Sequence, residues 1–251
     1  PAYPLSEHSM MYLNERIDDL QRGGLRVIQR ADAFRFGTDA VLLADFAAPR
    51  RHDRVCDLGT GTGIIPLLLY ARENTISADA VEIQPDMADM AARSMAMNGL
   101  NGKIRVLPGD LRSIRTLLPH ARYDLVTCNP PYGKAGGTLL NPDASKRLAR
   151  HEESCAIEDV ACAAAWLLQN GGRLCCVFPA ARMIELSDAM RKYRMAPKRI
   201  RMVHSRVEKA AHLCLMEGML DARPGLIIEP PLVIYDENNA YTPELRRIYG
   251  L

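Results

Sequence analysis

From residue 54 onward the apolar positions fall into short runs separated by longer segments with a helical repeat. The runs at 54–58, 80–83, 104–107 and 124–128 have strand length. The segments at 64–72, 86–98 and 110–118 space their apolar residues at three and four. A further helix is predicted over 157–168, ending at Asn170-Gly171-Gly172 and feeding a strand at 173–178. Strand and helix alternating at this spacing predict an α/β, Rossmann-like fold with a mostly parallel sheet and helices on both faces. The C-terminal third changes rhythm. Runs at 200–204, 213–220 and 231–234 read as strands joined by turns, which predicts an antiparallel end to the sheet.

Upstream, 25–29 alternates like a short edge strand, and a helix is predicted over 39–47 with Thr38 or Asp39 as its N-cap. Residues 1–24 are polar and weakly patterned apart from 10–20. They read as a mobile N-terminal extension before a single domain at 25–251.

Composition narrows the class. With 251 residues, 48% hydrophobic and 25% charged, the chain can bury a core. Its net charge of +2 neither demands nor excludes nucleic acid, so a basic surface must come from local clusters. The seven cysteines form no CxxC pair and mostly sit in apolar runs such as Leu174-Cys175-Cys176-Val177-Phe178. They read as buried thiols in a reducing compartment, with neither a disulfide framework nor a metal site. The longest apolar run, Ile64 to Tyr70, is far too short to cross a bilayer, and a soluble cytoplasmic protein is expected.

The first chemical signal is Val55-Cys56-Asp57-Leu58-Gly59-Thr60-Gly61-Thr62-Gly63, a strand turning through glycines into a helix. Such a turn lets a ligand approach backbone amides at a helix N-terminus. The dinucleotide spacing G-x-G-x-x-G is not met, because Ile64 takes the last position. Asp57 followed by Gly59, Gly61 and Gly63 resembles motif I of class I methyltransferases, which holds S-adenosylmethionine. Two acids at the next strand ends agree with it. Glu82 can accept both ribose hydroxyls, and Asp110 can accept the adenine amine, although Asp110 also suits a helix cap.

The second signal is Asn129-Pro130-Pro131-Tyr132 after the fourth strand. An exocyclic amine conjugated to a ring is a poor nucleophile. The Asn129 side-chain oxygen and the Pro130 carbonyl can accept its two N–H groups and aim its lone pair. Pro131 biases Pro130 towards extended backbone, and Tyr132 offers a ring for stacking a base. The tetrapeptide resembles motif IV of amino-methyltransferases. That group includes adenine-N6 enzymes, glutamine-methylating enzymes and relatives acting on guanine N2 of rRNA, so the motif names a reaction and leaves the substrate open.

Further stretches narrow it. These are Phe34-Arg35-Phe36-Gly37-Thr38-Asp39-Ala40-Val41, Arg150-His151-Glu152, and Leu232-Val233-Ile234-Tyr235-Asp236-Glu237-Asn238 with Tyr241-Thr242-Pro243-Glu244-Leu245. Together they resemble the bacterial tRNA1(Val) adenine-N6 methyltransferase family. The resemblance implies a seven-stranded sheet with one antiparallel strand, a tRNA substrate, a monomer or weak homodimer, and Phe36, Thr38 and Asp39 near the cofactor. Basic residues that could meet RNA phosphates are Lys134, Lys146, Arg147, Arg150, Lys198, Arg199 and Arg201, with a further cluster at 191–194 and Arg206. His151 reads as structural or RNA-contacting, since amine methylation needs no base before transfer. The competing readings are a glutamine methyltransferase, against which the basic stripe and short N-terminal region count, and a cofactor-binding RNA scaffold without turnover.

Overall fold

The computed structural model describes residues 11–31, 37–131 and 157–251. An N-terminal hairpin comes first, β1 (Glu15–Asp19) antiparallel to β2 (Arg26–Arg30). The extension is therefore not patternless throughout, and 26–30 pairs with it as a separate two-stranded sheet. Helix α1 (Thr38–Ala47) follows. Its N-cap is Gly37, with no side-chain cap bond, so Thr38 and Asp39 lie inside the helix, contrary to expectation.

The main sheet is built from β3 (Arg54–Leu58), β4 (Ser77–Glu82), β5 (Ile104–Pro108), β6 (Tyr123–Cys128), β7 (Leu168–Pro179), β8 (Met195–His204) and β9 (Ala211–Leu220). Two short strands, β10 (Ile227–Ile228) and β11 (Leu232–Val233), pair beside β8. Across the sheet the order is β10-β8-β9-β7-β6-β3-β4-β5. Within this sheet β9 runs antiparallel to its neighbours β7 and β8, and the other strand pairings described in it are parallel. The alternation that predicted strands at 54–58 and 104–107 is matched; the inner parallel strands β3, β4 and β6 are almost wholly buried, while β5 at the sheet's end is part-exposed.

The crossovers are helices α2 (Ile64–Arg72), α3 (Pro85–Met97), α4 (Ile114–Leu117, after a 3-10 turn at Leu111–Ser113) and α5 (Ile157–Leu167). Two more, α6 (Met183–Lys192) and α7 (Pro243–Tyr249), stand where the sequence suggested turns or nothing definite. A core on one face of the sheet joins α1 and α2 to Val55, Cys175, Val177, Val203 and Leu215. The core on the other face joins α5 and α6 to Cys56, Val126, Leu174, Cys176 and Met216. Both faces are thus covered, which leaves the two strand edges as the places where polar groups can meet a ligand.

Candidate active site

The order β5-β4-β3-β6 brings four carboxyl ends side by side. Leu58 of β3 pairs with Cys128 of β6 and with Val81 of β4, and Glu82 pairs with Pro108 of β5. The chain leaves β3 towards β4 and later returns to its other side as β6. That reversal is the switch point at which open α/β sheets bind ligands.

The glycine turn is fastened to β4. Gly59 and Thr60 donate their N–H groups to the Val81 carbonyl at 2.9 and 3.0 Å. Gly61 donates to Glu82 Oε2 at 2.8 Å, and Gln84 N donates to Oε1 at 2.9 Å. Glu82 is buried at 4% exposure, and two amides hold its carboxylate rigid while further lone pairs remain. Gly59 and Gly61 have φ of +69° and +57°, and a methyl group built on either meets no atom within 4 Å. The concave side of the turn is therefore open to a ligand that lies against bare backbone.

Asp57 lies deeper, fully buried on β3. Its Oδ1 accepts from the Thr127 hydroxyl at 2.6 Å, which ties the cofactor turn to the strand that carries Asn129. Burial pushes its carboxyl up to about 7; the Thr127 and Thr60 hydroxyls oppose the rise and Glu82 adds to it. Oδ2 of Asp57 and Oγ1 of Thr60 are buried without a hydrogen-bond partner among the described residues. An open glycine cradle, an anchored Glu82 and two unsatisfied buried oxygens suit a ligand with hydroxyl and ammonium donors, and S-adenosylmethionine carries both. Thr127 escaped the sequence reading. A hydroxyl near the end of a buried strand, two residues before Asn129, was the signal for it.

Asp110 behaves as the cap that was its alternative reading. It accepts from Arg112 N at 2.9 Å, and its carboxylate forks onto the Arg112 guanidinium at 2.5–3.0 Å. That ion pair lowers its pKa, and the side chain remains part-exposed. Asn129 is half-buried and Pro130 buried, directly after β6. Thr38 accepts from the Tyr249 hydroxyl at 3.2 Å, and Asp39 sits half-buried one residue further along α1. Phe36, Tyr132, Lys134, Lys146, Arg147, Arg150 and the Arg150-His151-Glu152 stretch lie outside the described residues.

Two predicted RNA contacts are occupied elsewhere. Arg199 bonds Glu217 at 3.1 Å, Glu229 at 2.8 Å and the Phe46 carbonyl at 2.8 Å, with its guanidinium over the Phe46 ring. Arg201 grips both oxygens of Glu244 at 2.8–2.9 Å. With its charge satisfied, neither is a free phosphate ligand. Lys198 is half-buried and donates to the Arg223 carbonyl at 3.3 Å. Among the described residues no cluster could hold a metal, and no helix is long and apolar enough to cross a membrane.

Known proteins resemble this chain in sequence and fold. The methyltransferase small domain family matches residues 31–199. A tRNA1(Val) (adenine(37)-N6)-methyltransferase from Porphyromonas gingivalis is 32% identical over 231 residues, covering 88% of this chain and 89% of its own. One of the same name from Tolumonas auensis is 34% identical over 84% of this chain and 86% of its own. The crystal structure of a predicted O-methyltransferase from Agrobacterium tumefaciens superposes with a TM-score of 0.71 at 24% identity, over 85% of this chain and 96% of that one, and shares the fold. The chain therefore belongs to the methyltransferase small domain family and, within it, to the S-adenosylmethionine-dependent tRNA1(Val) (adenine(37)-N6)-methyltransferases.

Proposed function

We propose that this enzyme methylates the exocyclic N6 of an adenine in tRNA, adenine 37 of tRNA1(Val), at the junction of the glycine turn and Asn129. The observation that carries the reading is the Thr127–Asp57 bond at 2.6 Å, which locks the end of β6 to the strand that opens the cofactor turn. When bound, S-adenosylmethionine supplies an electrophilic methyl group on a sulfonium. Glu82 would hold the ribose hydroxyls, and Gly59 and Gly61 would let the methionine portion lie against backbone. The Asn129 side-chain oxygen and the Pro130 carbonyl would accept the two amine N–H groups, favouring a tetrahedral nitrogen. Asp110 would accept the cofactor's adenine amine by sharing its carboxylate with Arg112. Tyr132 would stack the extruded base.

Methyl-labelled S-adenosylmethionine offered with unmodified tRNA, rRNA fragments and a release factor tests this directly. N6-methyladenosine in tRNA alone is expected; label in the protein acceptor would overturn the substrate. Asn129→Ala should lower kcat by at least about 10²-fold, the scale of losing a positioned acceptor. Its affinity for the cofactor, measured by calorimetry, should stay within about twofold.

A further inference from the structure

Opposite the active site lies the edge where β5, β4, β3 and β6 begin. A cleft of about 310 Å³ there is lined by Arg54, Lys103 and Arg105 with Ser77, Asn101 and Tyr123. The one carboxylate in its wall, Asp79, is already bound by Arg105 at 2.7 Å and by the Tyr123 hydroxyl. Arg51, three residues before Arg54, and Arg122, at the start of β6, extend the same edge. Arg51, Arg54, Lys103 and Arg122 are all exposed, and none has an ion-pair partner among the described residues. The other acids of this edge are engaged. Asp53 is buried beside Arg173, Asp124 accepts from Arg54 N and Gln169, and Glu73 is held by both donors of Thr75.

Four cations of the basic clusters visible in the sequence are already neutralised by carboxylates. Lys192 is paired with Glu158, Arg194 with Asp221, Arg199 with Glu217 and Glu229, and Arg201 with Glu244. A cation already neutralised at hydrogen-bond distance has little to offer a phosphate. The cations that remain unpaired here are scattered in sequence at 51, 54, 103 and 122, and only the sheet aligns them. Four adjacent strands at roughly 4.8 Å spacing make a cationic edge on the order of 15 Å wide. Strands of five or six residues put it roughly 15–20 Å from the carboxyl ends.

We propose that this edge is a second, distal contact for the phosphodiester backbone of the RNA whose base is methylated at the opposite edge. The proposal rests on the tRNA reading above and adds a place where the body of that RNA is held. The cleft is concave and lined by guanidinium and ammonium groups without exposed large apolar residues, which suits a phosphate ridge better than a bilayer.

The test replaces all four cations, Arg51→Gln, Arg54→Gln, Lys103→Gln and Arg122→Gln, and compares methylation of full-length unmodified tRNA with that by the parent enzyme. KM for tRNA should rise at least about tenfold near 0.1 M salt. The slope of log affinity against log salt should become shallower by about 2–3, as expected when three or four phosphate contacts are lost. The kcat at saturating tRNA and the affinity for S-adenosylmethionine should be retained. Charge-preserving Arg51→Lys, Arg54→Lys and Arg122→Lys should restore the salt slope. An unchanged KM and slope in the neutral variant would overturn the proposal. So would polyglutamate competing as well as tRNA, which would mark the edge as a site for acidic protein. If the parent enzyme leaves tRNA unmethylated, the substrate reading fails. Fluorescence anisotropy with labelled tRNA then judges this edge separately, and equal affinity of the parent and neutral proteins would overturn it.

Discussion

A fully buried carboxylic acid, held by the Thr127 hydroxyl beneath a glycine turn, should leave a mark on the pH dependence of stability. Asp57 titrates near 7 in the fold because burial disfavours its charged form. In the unfolded chain it titrates near the ordinary value of about 4. Between those limits the folded state carries a proton that the unfolded state has lost, so stability falls as pH rises from about 4 through about 7 and then levels off. The share belonging to Asp57 is at most about 4 kcal/mol, three units at about 1.4 kcal/mol each. Asp57→Asn should flatten that part of the curve in urea unfolding from pH 4 to 8; an unchanged slope would assign the titration to another group. At this scale the sequence was most readable where a residue type has few uses. Glu82 and the glycines stand where their spacing placed them. The pairing of Arg199 was hidden, because a basic run in sequence says nothing of Glu217 and Glu229, which approach from elsewhere in the chain.

Within one turn, glycines can differ in purpose. Gly63 is the N-cap of α2 with φ +84°, and a Cβ there would stand 2.6 Å from Met95 Cε and 3.2 Å from Ala91 Cβ on α3. Gly63→Ala should therefore destabilise the fold by about 2–3 kcal/mol, combining left-handed strain with a clash between helices. At Gly61 nothing stands in the way. Gly61→Ala should cost only about 1 kcal/mol of stability while weakening S-adenosylmethionine binding at least tenfold. Paired thermal unfolding and calorimetry separate the two roles; equal stability losses would refute the division. Elements with a strong repeat, such as 54–58 and 64–72, were legible because their own residues carry the pattern. Others depend on distant partners. β4 begins at Ser77 because Asp79 is neutralised by Arg105 and Tyr123, so a carboxylate there does not end the strand. β8 continues through Pro197 and Lys198 with a register shift before Arg199, whose charge is met by Glu217 and Glu229. Helix α7 is only seven residues long, although Thr242 caps it and Pro243 opens it, and periodicity needs more length than that.

Across the whole molecule, one buried cation joins three parts of the chain. Arg173 on β7 donates to the Ala47 carbonyl at 3.0 Å, to Glu217 at 3.1 Å, and reaches Asp53 at 3.5 Å. It links the end of α1, the approach to β3, and β9. Arg173→Ala should destabilise the protein by about 3–5 kcal/mol, because Asp53 is left buried and unpaired. Arg173→Met with Asp53→Asn should recover a good part of that in chemical denaturation; no recovery would show that the loss is one of packing. The fold class followed from local alternation, but this closure did not, since it joins residues more than a hundred positions apart. The same holds more strongly at the two ends of the domain. Arg22 of the hairpin turn reaches the carbonyls of Arg247 and Ile248, and Tyr249 reaches Thr38 across 211 positions. During synthesis the hairpin and the first helix therefore leave the ribosome long before their partners exist. Loops of that length close late and slowly, so the nascent chain must carry an unsealed apolar flank until α7 is made, and that interval is when it would most need a chaperone.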